Sequence, residues 1–235
     1  MLTVAILAGG LATRLQPILK ETPKSLINIC GKPFIDWQLR LLSRSGVERV
    51  VLCTSYKSEM IEDYVGDGSK YGIEVNYSKD GPIQLGTGGA IKKATQTLEE
   101  KFMVLYGDSY LPIDYKAVQS AFENVDEVAL MSIYKNNNEF DSSNVHFAFG
   151  KVKNYSKTSN SDEFNYIDFG LSFFNKNVFD RYGLDENFDL SDVFSALCKA
   201  NQLAAYEVKQ RFYEVGSVRG ISDFTEYIKR SRNVI

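Results

Sequence analysis

Hydrophobic positions along the chain fall into short runs separated by polar, glycine-containing segments. Residues 2–7 form a continuous apolar run that reads as a buried strand, followed by a loop from 8 to about 32. Pro33 suits a first helical turn, and Phe34, Ile35, Trp37, Leu39, Leu41 and Leu42 give that helix a broad apolar face ending at Gly46. Val50-Val51-Leu52-Cys53 marks a second buried strand within 47–54. Ser58 is placed to cap a helix through Tyr64, and 73–77 alternates as a third strand. A helix follows Leu85, then a strand at 102–106 and a helix at 115–123 with Ala117, Val118, Ala121 and Phe122 inward. The pattern continues with a strand at 128–133, a hairpin over 145–155 turning near Gly150, and a strand at 166–174. A helix over 188–201, opened by Asp189 or Ser191, precedes closing strands at 203–208 and 212–213 and a helix over 217–227. The polar stretch 156–164 reads as a surface loop.

Repeated strand–helix–strand implies α/β architecture, with a doubly wound, Rossmann-like sheet, mixed but mostly parallel, and helices on both faces. Ligands bind such sheets at the carboxyl ends of the strands. The 235 residues suit a single domain over 1–235. The formal net charge of −3 gives no general attraction to nucleic acid or an anionic membrane, so a nucleotide must be held by a local positive pocket. No apolar run is long enough to span a bilayer, and the first residues lack the basic region of a signal peptide, which suits a cytoplasmic protein. Cys30, Cys53 and Cys198 show no metal-binding spacing and read as reduced core residues. His146 is the only histidine and reads as structural. An assembly of two copies, a homodimer, is compatible with the sequence.

Candidate chemistry is concentrated where the first strand ends. Leu7-Ala8-Gly9-Gly10 is followed by Thr13-Arg14-Leu15, Pro17 and Pro23-Lys24. Glycines let backbone N–H groups approach a bound anion, and two fixed cations beside them make a triphosphate cradle. Pro23 before Lys24-Ser25 breaks a Walker loop, and Ile91 stands where a dinucleotide fingerprint in 86–91 needs a small residue. Asp108 follows Gly107 at the end of a strand, where a carboxylate can hold Mg²⁺ beside a triphosphate or cap the following turn.

The segment Gly-Gly-x-x-Thr-Arg-Leu-x-Pro with the later Pro-Lys resembles the signature loop of the sugar-1-phosphate nucleotidyltransferases. With Gly31-Lys32-Pro33-Phe34 and Leu85-Gly86-Thr87-Gly88-Gly89-Ala90, the chain is most similar to short bacterial enzymes that guanylylate D-glycero-α-D-manno-heptose 1-phosphate. The resemblance implies that a nucleoside triphosphate and a sugar 1-phosphate give a nucleotide sugar and pyrophosphate, with Mg²⁺ as cofactor. It implies nucleotide binding by Leu7, Ala8, Gly9, Gly10, Gly86 and Thr87, with Gln84 able to read a base edge. It assigns catalysis to Arg14, Lys24 and Asp108, and metal binding to Asp108 and Glu214. Glu214 stands where relatives carry aspartate. Acceptor binding falls to Asp168 and Gly170, where relatives show Asn/Glu-x-Gly, and to Lys157, with Lys153 as the alternative. The nucleotide part covers about 1–110 and the sugar-phosphate part about 111–235. Uridylyl or cytidylyl transfer to another phosphorylated acceptor is the alternative, as is a silent subunit that binds a nucleotide sugar. A glycosyltransferase on this architecture would need Asp-x-Asp, which Asp108-Ser109-Tyr110 does not supply.

Overall fold

A computed structural model describes residues 2–10, 22–55, 57–157, 162–184 and 186–232. The first apolar run becomes β1 (Thr3–Leu7). The stretch read as loop contains a tight ladder of β2 (Asn28–Ile29) and β3 (Lys32–Pro33). Pro33, whose ψ of 148° is extended, caps α1 (Phe34–Arg44) from outside instead of opening its first turn. There follow β4 (Arg49–Thr54), α2 (Ser58–Val65), β5 (Glu74–Lys79), α3 (Gly86–Ala94), β6 (Lys101–Tyr106), β7 (Ser109–Tyr110) and α4 (Tyr115–Glu123). The second half comprises β8 (Ala129–Lys135), β9 (Val145–Ala148), β10 (Lys151–Tyr155), β11 (Tyr166–Asn175), α5 (Leu190–Lys199), β12 (Leu203–Val208), β13 (Tyr213–Glu214) and α6 (Val218–Arg232).

The main sheet runs β12-β8-β11-β6-β1-β4-β5, and the β9–β10 hairpin joins it where Val145 pairs with Tyr166. β6, β1, β4 and β5 are parallel, and β12 is parallel to β8. β11 runs antiparallel to both β6 and β8, so the sheet is mixed as the pattern predicts. Alternation along β1 sends Val4 and Ile6 to one face and Ala5 to the other. The first face is covered by α1, α2 and α4 through residues such as Leu39, Ile61 and Val118; the second is covered by α3 and α5 through Ile91 and Phe194. A separate aromatic cluster seats α6 against Phe34 and the β2–β3 ladder. Because β1, β4, β5 and β6 share one direction, their carboxyl ends meet along one edge, where the glycine loop also leaves β1.

Some local expectations are corrected. Lys57, left-handed at φ 52°, occupies the cap of α2, and the Ser58 hydroxyl turns to Glu59. In α4 the buried stripe is Tyr115, Val118 and Phe122, leaving the smaller Ala117 and Ala121 half-buried. Cys53 is buried, but Cys30 and Cys198 are half-buried, and all three thiols are free. The last strand is β13 and pairs with β7, Glu214 opposite Ser109, outside the main sheet. Among the described residues no helix is long and apolar enough to cross a membrane.

Candidate active site

A cavity of about 800 Å³ opens along the carboxyl edge of the parallel strands. Its walls include Leu7, Ala8, Gly9 and Gly10, Gln84, Gly86 and Thr87, Lys24 and Asp108, and Lys157, Asp168, Gly170 and Glu214. Every sequence-predicted site residue within the described set therefore shares one cavity except Lys153, the alternative to Lys157, which is exposed outside it. Arg14 lies outside the described residues. His146 stands 3.4 Å from Glu163 and is not part of the cavity wall.

The centre of the cavity is built by close approach of backbones. Gly107 donates its N–H to Leu7 O at 3.1 Å, and a β-carbon on it would collide with that same carbonyl. Only glycine lets the ends of β1 and β6 meet so tightly. Asp108 is thereby held over the end of β1, and its own carbonyl accepts from Val215 N–H at 2.9 Å. Gln38 fixes the same turn from below. Its buried amide donates to Tyr106 O at 3.1 Å and Ser109 O at 2.7 Å, bridging the residues that flank Asp108. Gln38 was not foreseen as a site residue, although a polar residue inside the buried stripe Phe34, Ile35, Leu39 and Leu42 was a readable signal.

Lys24 follows Pro23 in a short 3-10 turn and reaches Asp108 Oδ2 at 2.6 Å. Gly216 sits beside this pair. A β-carbon there would stand 2.9 Å from Lys24 Nζ, 3.2 Å from Asp108 Oδ2 and 2.8 Å from Glu214 Oε2. The three charged groups thus surround one missing side chain. Glu214 itself turns toward α6: its carboxylate accepts from Gly216 N–H and from the Ser217 hydroxyl, the latter at 2.5 Å. It fills space that a side chain at Gly220 would need. An acidic group is favourable at a helix N-terminus, and each Glu214 oxygen already accepts one hydrogen bond there while keeping a further lone pair.

Toward one end of the cavity, the glycines of 86–89 meet a strap formed by 186–190. Gly88 N donates to Phe188 O at 3.0 Å, Leu190 N donates to Thr87 Oγ1 at 2.8 Å, and Asn187 Nδ2 donates to Gln84 O at 2.6 Å. Gly86, at φ +72°, would bring a β-carbon to 2.5 Å from Phe188 O. Packing against this strap is thus one reason for the glycines, and it was not legible in the sequence. Asp80 lies on the same wall; its Oδ2 accepts from Leu85 N at 3.2 Å, and burial pushes its carboxyl up.

At the other end, a register shift in β11 between Asp168 and Ser172 re-aims Asp168 into the cavity. Its Oδ2 accepts from the Tyr106 hydroxyl at 2.7 Å and its Oδ1 from Gly170 N–H at 2.9 Å. Its own N–H donates to Asn144 Oδ1 at 2.8 Å. Burial raises the Asp168 carboxyl, and the Tyr106 bond opposes that shift. Each oxygen keeps acceptor capacity for a further donor. Lys157 pairs with Asp189, the cap of α5, at 2.6 Å. Burial would raise the Asp189 carboxyl, but Lys157 and the Ser191 N–H outweigh it and hold the group low.

Among the described residues no three acidic, histidine or cysteine side chains converge as a cation cage. Mg²⁺ needs no such cage, since it is commonly held by one or two carboxylates together with substrate phosphates and water. The half-exposed Asp108 carboxylate on the cavity wall fits that mode.

Comparison with known proteins places this geometry. A D-glycero-α-D-manno-heptose 1-phosphate guanylyltransferase of Aneurinibacillus thermoaerophilus is 43% identical over 112 residues, 47% of this chain and 48% of the relative. The protein of the same name from Campylobacter jejuni is 29% identical over 216 residues, 90% of this chain and 93% of the relative. Among solved structures, HddC from Yersinia pseudotuberculosis complexed with GMP-PN is 27% identical with a TM-score of 0.80, covering 97% of this chain and 100% of that one. The model of the family described as nucleotidyl transferase matches residues 3–231. The chain belongs to the nucleotidyl transferase family.

Proposed function

We propose that this chain joins a nucleoside triphosphate to a sugar 1-phosphate, giving a nucleotide sugar and pyrophosphate. GTP and a heptose 1-phosphate are its preferred pair, supported by the names of the relatives at 43% and 29% identity and by a structural neighbour complexed with GMP-PN. The observation that carries the reading is the meeting of Lys24 and Asp108 at 2.6 Å in mid-cavity, with Gly9-Gly10 on one side and Asp168 on the other. The nucleotide part is assigned to about 1–110 and the acceptor part to about 111–235, within one domain. Gly86, Thr87 and Gln84 line the nucleoside end, and Asp168, Gly170 and Lys157 the acceptor end.

An oxygen of the sugar phosphate forms a bond to the α-phosphorus, and the bond from that phosphorus to the β-phosphate oxygen breaks. Pyrophosphate departs with the bonding pair. The attacking oxygen is already anionic, so no general base is required. The barrier is the mutual repulsion of two anions, and catalysis consists of alignment and charge stabilisation. Lys24, once released from Asp108, places its ammonium beside the α-phosphate, and Arg14 is assigned to the β- and γ-phosphates. Gly10 leaves open space for the phosphates, while Gly9 is held by the Ser55 hydroxyl, which donates to its carbonyl at 2.7 Å. Asp108 is the residue that would hold Mg²⁺, with Glu214, anchored on Gly216 and Ser217, as the second carboxylate beside it. A cation bound there would neutralise part of the phosphate charge. The cytoplasm, where triphosphates are supplied and free thiols stay reduced, is the compartment this reading assigns.

The test is a matrix of four triphosphates against a panel of sugar 1-phosphates, reading pyrophosphate. Release with GTP and a heptose 1-phosphate above all other pairs supports the reading. Absence of pyrophosphate with every pair overturns it.

A further inference from the structure

We propose that Asp189 is a positioning residue for the acceptor: it holds Lys157 at the cavity wall so that two of the three ammonium protons stay available to the phosphate of the sugar 1-phosphate. The inference rests on reading the cavity as the site of that substrate. Among the described residues the wall carries two cations, Lys24 at mid-cavity and Lys157 at the acceptor end. Lys24 is assigned to the triphosphate, so a second phosphate brought beside it needs the charge of Lys157. Lys157 already acts on the acceptor end: burial raises the Asp168 carboxyl, and the Lys157 charge is among the groups that oppose that shift. Its Nζ lies 2.6 Å from Asp189 Oδ1, and Asp189 itself is not part of the wall. The carboxylate therefore acts through the lysine and not on the substrate.

Asp189 suits an anchor because the chain is tied down on both sides of it. Gly88 N donates to Phe188 O at 3.0 Å just before it, and Leu190 N donates to Thr87 Oγ1 at 2.8 Å just after it. Its own N–H donates to Asp192 Oδ2 at 3.3 Å, and its Oδ1 accepts from Ser191 N at 2.8 Å, closing the capping box of α5. The helix N-terminus thus shares in stabilising its negative charge. Lys157 is the opposite case, an ammonium on a flexible four-carbon stem whose side chain is 42% exposed. Ordering such a side chain on binding weakens affinity, and a side chain ordered beforehand avoids that loss. One ammonium proton goes to Asp189, and two remain. A phosphate accepts them without breaking the pair. The strap that packs against the nucleoside wall therefore also aims a lysine at the other substrate.

Asp189→Ser keeps a good helix cap but is too short to reach Lys157. The expected result is a melting temperature within about 2–4 °C of wild type. Triphosphate affinity and kcat should stay within about twofold, and KM for the best sugar 1-phosphate of the panel should rise about three- to tenfold, the range that ordering one long side chain supports. Asp189→Asn, also a good cap, keeps the oxygen and loses the charge; it should raise that KM about twofold or more, and it carries the test if the serine variant fails to fold. The second arm repeats Asp189→Ser in a Lys157→Ala background, with acceptor Kd read by titration calorimetry beside a non-hydrolysable triphosphate where turnover is too low for a KM. There it should change acceptor binding by less than about 1.5-fold, since the lysine it acts through is gone. Equal losses in both backgrounds overturn the inference in favour of a structural role. An unchanged KM in Asp189→Ser overturns it, and a lowered KM does so by showing that the carboxylate competes with the phosphate for the lysine. Unchanged acceptor affinity in Lys157→Ala overturns it as well, while pyrophosphate release by wild type leaves the functional reading standing. If folded wild type binds triphosphate but neither binds nor turns over any sugar 1-phosphate, the functional reading fails first and this inference with it.

Discussion

Placing a methyl group at Gly216 tests the centre of the site with little disturbance elsewhere. Gly216 lies outside the left-handed region, so alanine adds no backbone strain there. The new carbon would stand 2.8 Å from Glu214 Oε2, 2.9 Å from Lys24 Nζ and 3.2 Å from Asp108 Oδ2, where ordinary contact begins at 3.4 Å. The lysine tip and the Glu214 carboxylate must each retreat by about half an ångström. Both are ends of flexible chains, so the folding cost stays below about 1 kcal/mol, or about 2–4 °C in melting temperature for a chain of this size. Catalysis is less forgiving: a misplacement of about 1 Å can cost about 10²-fold. Gly216→Ala should therefore lower kcat by about 10–100-fold with a nearly unchanged thermal melt. Pyrophosphate release and scanning calorimetry on the same preparation measure both quantities. Turnover within threefold of wild type would refute the argument that these three tips must meet beside Gly216. A melting temperature lowered by about 8 °C or more would equally refute it, by showing that the glycine is needed for folding.

Other expectations concern groups around that point. Lys24→Ala should lower kcat by about 10²–10³-fold, the loss seen when one transition-state donor is removed, while titration calorimetry shows triphosphate affinity changed far less. Gln38→Leu leaves the Tyr106 and Ser109 carbonyls without their donor. It should cost about 1–3 kcal/mol in denaturant unfolding and raise the Mg²⁺ concentration for half-maximal turnover; an unchanged Mg²⁺ titration would separate Gln38 from Asp108. Asp36 is buried in α1 against Arg40 at 2.7 Å and Lys32 at 3.6 Å. Burial raises its carboxyl, but the Arg40 bond and both cations outweigh that and hold it low. Its contribution is thus present above the ordinary aspartate value of about 3.9 and lost as pH falls below it. Asp36→Asn should cost about 1–2 kcal/mol near pH 7, allowing for screening at the exposed guanidinium, and the gap to wild type should close as acid titrates the lowered Asp36 carboxyl.

The parallel part of the fold was legible because its central strands are compact apolar runs, as at Val50-Val51-Leu52-Cys53, because 73–77 alternates, and because Phe34, Ile35, Leu39 and Leu42 recur at helical spacing. β7 and β13 were not legible as a pair: two residues each carry no period, and their pairing is decided by where α6 docks. The site was readable where backbone chemistry is unusual, at Gly9-Gly10 and Gly107-Asp108. Gly86 and Thr87 were read as nucleotide-binding, yet the strap at 186–190 also packs against the glycines of 86–89. No local pattern announces a contact between segments about a hundred residues apart. Glu214 shows the same limit, since its hold on the first residues of α6 comes from folding back across Gly220.

The pairing of β13 with β7 sets an order of events at the ribosome. Nearly everything that lines the nucleoside end has been synthesised by Ser109, whereas Glu214 and Gly216 emerge more than a hundred residues later. A nascent chain stalled near residue 200 would hold most of the strands yet could not close the mid-cavity juncture. The segment after residue 200 is thus what brings Glu214 and Gly216 beside Lys24 and Asp108, and the earlier strands alone leave that juncture open.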